Sequence, residues 1–150
     1  MNNSSQSAPP KIDVGKFLPI AIRENLGGAA LSVDGDVAML RYMPGEHLLN
    51  PVGIVFGGHI AGMIDDAAAL ITWFAGGKRP FATAQLSVNF LRAVKPGEAL
   101  IAAAQLVGAG NRQAFVEVKL TREADGKPVA TGSLVQTFTG DIRGDRTGEA

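Results

Sequence analysis

Residues 50–75 read NPVGIVFGGHIAGMIDDAAALITWFA, and the fold turns on this stretch. Between Glu46 and Lys78 the only Asp, Glu, Lys or Arg residues are Asp65 and Asp66, in a run otherwise almost wholly apolar or small. A helix that is apolar on every side is a buried helix. The pattern predicts a long central helix that starts near residues 57–59 and stops at Gly76-Gly77, where a glycine pair supplies the break. Two carboxylates inside such a helix need compensation, because taking water from a carboxylate is costly unless charges or donors replace it. A functional site is the usual reason to keep one there.

Working outward, Asp34-Gly35 lies between two apolar runs and predicts a hairpin of strands at 29–33 and 36–43. Pro44-Gly45 ends the second strand, and a loop with His47 and Asn50 leads into the helix. Upstream, residues 12–26 form a short amphipathic pattern interrupted near Pro19 and closed by Gly27-Gly28. Beyond Pro80 the period changes to two. Ala82, Ala84, Leu86, Val88 and Phe90 alternate with Thr83, Gln85, Ser87 and Asn89, which predicts a half-buried strand with the first set turned to the core. Three more strands are expected at 98–107, 113–122 and 128–139, separated by turns at 108–111 and at Asp125-Gly126.

Strands joined by tight turns pair antiparallel, and one apolar helix can fill the inner face of the resulting sheet. The fold class is therefore α+β, with one long central helix wrapped by a curved antiparallel sheet of about five to six strands. A doubly wound parallel sheet is disfavoured for want of crossover helices. A disordered leader at 1–10, a single domain at 11–140 and a frayed tail at 141–150 complete the expected layout.

Fourteen Lys plus Arg balance fourteen Asp plus Glu, so no basic face for nucleic acid is indicated. The chain has no Cys, which removes thiol nucleophiles and Cys-ligated zinc and fits a cytoplasmic protein; its two His residues do not form a metal-ligand pair. MNNSSQSAPP has neither the basic start nor the apolar run of a targeting signal, and the apolar stretch at 60–75 is too short to span a bilayer.

On a helix, Asp65 shares a face with Gly58, Ala61, Gly62, Ala68 and Ala69, all small, which would leave the carboxylate as the reactive group along a narrow groove. Asp66 points about 100° away and reads as a structural carboxylate held by a partner, with His59 within reach. Gly57 and Gly58, at the start of the helix, would present unpaired NH groups at the positive end of its dipole, which suits an oxygen gaining negative charge in acyl transfer. Trp73 and Phe74 read as core or pocket wall. Arg92, Lys95 and Arg112 fall at strand ends and turns, placed to meet phosphates if the ligand carries them.

The order NPVGIVFGGHIAGMIDD, then TAQLSVNFLR, a KPG turn and an ExDGKPVATG hairpin resembles the hotdog-fold acyl-CoA thioesterases, most of all the phenylacetyl-CoA thioesterase-like branch, over about residues 29–139. The resemblance implies a hydrolase working as a homodimer, often paired into a homotetramer, with sites at the dimer interface and residues from two chains. It implies Asp65 as nucleophile or general base, Gly57 as the NH donor to the thioester carbonyl with Gly58 beside it, Asn50 as orienting the thioester or water, and Thr83 as holding the attacking water. Substrate contacts fall to Gly58, Phe56, His59, Arg92 and Arg112. Phe56 stands where many relatives carry His or Gln. No cofactor or metal is implied, and coenzyme A enters as part of the substrate. The competing readings are a non-catalytic acyl-CoA-binding protein and an acyl-thioester hydratase or dehydratase, the latter needing a His and acid pair from His47 or His59.

Overall fold

A computed structural model describes residues 20–139. The expected leader, residues 12–19 of the first amphipathic pattern and the tail lie outside the described residues. The elements run α1 (Ile20–Asn25), β1 (Gly28–Asp34), β2 (Val37–Tyr42), a 3-10 turn (Glu46–Leu48), α2 (Gly57–Ala75), β3 (Phe81–Phe90), β4 (Leu100–Ala109), β5 (Gln113–Arg122) and β6 (Pro128–Phe138). The six strands form one sheet in the order β1-β2-β4-β5-β6-β3, and every neighbouring pair is antiparallel. This is the hotdog arrangement, with α2 packed across the sheet against β2 to β6.

The predicted central helix begins at Gly57 and ends as expected. Gly77 adopts φ +68° and Lys78 φ +63°, Lys78 N–H bonds to the Trp73 carbonyl and Gly76 N–H to that of Thr72, so two left-handed residues in succession, the first a glycine, close the last turn. Met63, Ile64, Leu70 and Ile71 are fully buried. Each contributes about 1.5–3 kcal/mol relative to an exposed position. Close packing of α2 on the sheet depends on Gly132, where a Cβ would come within 2.4 Å of Ile64 Cγ2. The β1–β2 turn is centred one residue later than the Asp-Gly pair implied, on Gly35 and Asp36, with Gly35 at φ +57°.

β3 departs from its predicted alternation. Thr83 pairs with Gln136 and Gln85 with Val135, so Ala84 is an extra residue in a β-bulge. A bulge shifts the period-two phase by one. Residues paired directly across a ladder share a face, and Gln136 and Leu134 are both buried beneath α2. Leu86, Val88 and Phe90 therefore keep the inward side, but Thr83 joins them, contrary to the expectation that it faces away from the core. β3 is also an edge strand, hydrogen-bonded among the described residues only to β6, and Phe90 is 57% exposed.

Candidate active site

The inward turn of Thr83 places it on Asp65. Thr83 Oγ1 donates to Asp65 Oδ1 at 2.7 Å, and among the described residues no donor reaches Asp65 Oδ2. Asp65 is half-buried and sits beside the open β3 edge. The stripe of small residues around it is not an open groove: Ala68 is fully buried, and a Cβ on Gly62 would rest 3.8 Å from Leu26. Helix packing, not ligand access, accounts for those two positions.

Asp66 is satisfied from α1 and β2. Arg23 Nε and Nη2 donate to its two oxygens at 2.9 and 3.1 Å, and the Tyr42 hydroxyl donates to Oδ2 at 2.7 Å. Arg23 is 7% exposed, so the charge of Asp66 is matched inside the protein. Burial first, and then the charge of Asp66, push the Tyr42 phenol well above its ordinary pKa. His59 takes no part; its ring packs edge-on against Phe56 at 5.8 Å.

The start of α2 is held by three backbone bonds: Asn50 N–H to Ile54, Val55 N–H to Val94 and Phe56 N–H to Leu48. Asn50 Oδ1 accepts from the NH groups of Val52 and Ile54 at 3.1 and 3.2 Å, so the oxygen of this side chain is committed to shaping the loop. Phe56 is the N-cap and gives no side-chain cap bond. Its carbonyl takes the His59 and Ile60 NH groups. The Gly57 and Gly58 NH groups are left as open donors among the described residues. Gly57 borders a cleft of about 310 Å³ lined also by Asn50, Ile54, Ile60, Phe90 and Arg92.

Arg92 also donates to the Pro128 carbonyl at 2.6 Å, which fixes it at the rim. Phe56 is 54% exposed, with its ring folded over Gly58, where a Cβ would meet it at 2.8 Å. Arg112 lies on the β4–β5 turn, exposed, and does not line this cleft. His47 is bonded through Nε2 to the Asn25 carbonyl at 2.7 Å, so neither His forms a pair with Asp65. Among the described residues no cluster of His, Cys, Asp and Glu could hold a metal ion.

Asp65 and Gly57 do not meet within one chain. They stand eight positions apart on α2, about 12 Å along the axis, and neither Asp65 nor Thr83 lines the Gly57 cleft. Sequence reasoning also passed over two residues, Thr72 and Gln136, which are polar, fully buried and bonded to each other. The signal was present: Gln136 stands where the inward set Gly132, Leu134 of β6 calls for an apolar side chain.

The thioesterase superfamily model matches residues 52–129, and the chain belongs to this family. Human acyl-coenzyme A thioesterase 13 is 26% identical over 87 residues, 58% of this chain and 62% of that protein. The matched segments span 53–62% of the curated relatives' length. The fold is shared with many solved structures, among them the following three. Zebrafish thioesterase superfamily member 2 is 24% identical at a TM-score of 0.71, covering 75% of this chain and 81% of that one. The Escherichia coli PaaI protein of the phenylacetic acid degradation operon is 21% identical at 0.72, covering 80% and 85%. A hypothetical thioesterase protein of Streptococcus pneumoniae, solved with coenzyme A, is 22% identical at 0.73, covering 82% and 92%.

Proposed function

We propose that this chain is a cytoplasmic acyl-CoA thioesterase that hydrolyses a coenzyme A thioester to the free acid and CoA, with no metal or further cofactor. The observation that carries this reading is the Thr83–Asp65 bond at 2.7 Å, in a member of the thioesterase superfamily. The bond occupies Oδ1 and leaves Oδ2 to attack the thioester carbonyl or to take a proton from the attacking water. The carbonyl oxygen accepts from the Gly57 NH at the positive end of α2, with Gly58 alongside, so charge that develops there meets fixed donors. Arg92, at the cleft rim, faces the phosphates of CoA, and Asn50 shapes the loop through which the thioester passes.

One thioester cannot touch Gly57 and Asp65 of the same chain, so the working unit is a homodimer in which each site takes its NH donor from one copy and its carboxylate from the other. The β3 edge, unpaired among the described residues and ten residues long with Asp65 and Thr83 beside it, supports a second copy pairing there. Pairing of dimers into a tetramer has the outer sheet face as its surface, where Val107 and Phe115 are exposed.

Phe56 favours a second reading, acyl-CoA binding without turnover, because it puts an apolar ring next to the NH donors. A panel of acyl-CoAs assayed for free thiol, with Asp65→Asn alongside, tests the proposal. Thiol release by wild type that Asp65→Asn abolishes supports hydrolysis. Calorimetric binding with no release supports the binding protein, and loss of enoyl absorbance without thiol supports a hydratase.

A further inference from the structure

A line of hydrogen bonds starts in the core, runs out through the exposed Thr83 and ends on Asp65. Thr72, on α2 two turns past Asp65, and Gln136, on β6, are both fully buried. Such groups cost free energy unless each is paired. The Thr72 hydroxyl donates to Gln136 Oε1. Gln136 Nε2 donates at 3.3 Å to Thr83 Oγ1, its direct partner across the ladder, and Thr83 Oγ1 donates at 2.7 Å to Asp65 Oδ1.

The line has one direction. A carboxamide accepts at one end and donates at the other. With Oε1 taken by Thr72, the NH2 end faces Thr83. A hydroxyl carries a single proton. Since Gln136 supplies a proton to the Thr83 oxygen, the proton of Thr83 itself turns to the carboxylate, which when ionised can only accept. The bulge at Ala84 is what brings Thr83 into this line at all. A leucine at position 136 would repeat Leu134 and fill the core, but it would leave the Thr83 hydroxyl free to rotate.

We infer that Gln136, with its amide oriented by Thr72, is a positioning residue for Asp65: it fixes the Thr83 hydroxyl as the donor to Oδ1 and so aims Oδ2 at the reacting group. Its consequence for turnover rests on the thioesterase reading above, whereas the orientation of Thr83 does not. Neither Gln136 nor Thr72 touches substrate; both act through Thr83.

The test is kcat and KM for wild type, Gln136→Leu, Thr72→Val, Thr72→Ser, Thr83→Val and the Gln136→Leu/Thr83→Val double variant, with crystal structures of wild type and Gln136→Leu. Gln136→Leu lowers kcat about tenfold with KM changed less than about twofold, the effect of releasing one orienting hydrogen bond. Thr72→Val does the same to a smaller degree, and Thr72→Ser restores the wild-type rate. On the Thr83→Val background Gln136→Leu costs nothing further, because the route it uses is gone. An equal loss on both backgrounds means that Gln136 only packs the core and overturns the inference. Should Gln136→Leu fail to fold, Thr72→Val, which keeps the shape of the side chain, carries the same comparison. If wild type releases no thiol, the thioesterase reading fails and the crystal structures decide: a Thr83 hydroxyl turned away from Asp65 in Gln136→Leu upholds the inference, and an unchanged Thr83–Asp65 bond overturns it.

Discussion

Thr83 and Asp65, eighteen residues apart, are joined by a 2.7 Å hydrogen bond that exists because one extra residue, Ala84, turns β3 over. A bond to an ionised carboxylate is worth more than a neutral one. Thr83→Val, close in shape but without the hydroxyl, lowers kcat by roughly 10- to 100-fold. Thr83→Ser keeps most of it. Steady-state kinetics on the best acyl-CoA checks both, and equal rates for the two variants would remove Thr83 from the site.

The neighbouring aspartates separate by what they lose. Asp66 neutralises Arg23 and takes the Tyr42 hydroxyl, so Asp66→Asn leaves a buried guanidinium short of charge and costs about 2–4 kcal/mol of stability. Asp65→Asn costs little stability but lowers turnover by roughly 10²–10⁴. Urea unfolding and thiol release on the two variants read the two effects independently. The opposite assignment, a stable but dead Asp66→Asn, would make Asp66 the reactive carboxylate.

Tyr42 links stability to alkaline pH. Its folded pKa is raised, by burial and by Asp66, so the folded state holds the phenol proton more tightly than the unfolded state does. The contribution is complete below the unfolded pKa of about 10 and is lost as pH rises above it, with a slope of one proton. Tyr42 is the only tyrosine in the chain, so the phenolate absorbance band reports this residue alone. It should appear together with unfolding and not before; Tyr42→Phe removes the slope.

Gly57 is the first residue of α2, where proline is tolerated because the NH has no helical partner. A Cβ there meets only Phe90, at 3.5 Å. Gly57→Pro therefore deletes the proposed oxyanion donor with little effect on the helix. Loss of one such donor lowers kcat by roughly 10²–10³. A Gly57→Pro protein that melts like wild type and turns over at the wild-type rate places the oxyanion elsewhere.

Most of the architecture was legible because local chemistry marks it. Glycine pairs and Asp-Gly turns punctuate the chain, the apolar run at 57–75 is too uniform for a surface helix, and Gly77 ends it with a positive φ. The candidate carboxylate was legible too, as a charge in that run. The bulge was not. Ala-Thr-Ala offers no contrast of size or polarity from which to read the phase of a strand, so Thr83 was expected to face outward. The partners of Asp66 were hidden for a different reason: Arg23 is 43 residues away and meets it only through the packing of α1 on α2. Gln136 was visible as a polar residue at an inward position, but its purpose depends on cross-strand register, which single-chain periodicity does not carry.

The central claim is that each site takes Gly57 from one copy and Asp65 from another. Gly57→Pro and Asp65→Asn chains, co-expressed with different tags and purified as the mixed dimer, give one intact site in two. The mixed dimer should therefore release thiol at about half the wild-type rate, although each parent is nearly inactive. A mixed dimer no more active than its parents would contradict the two-chain site.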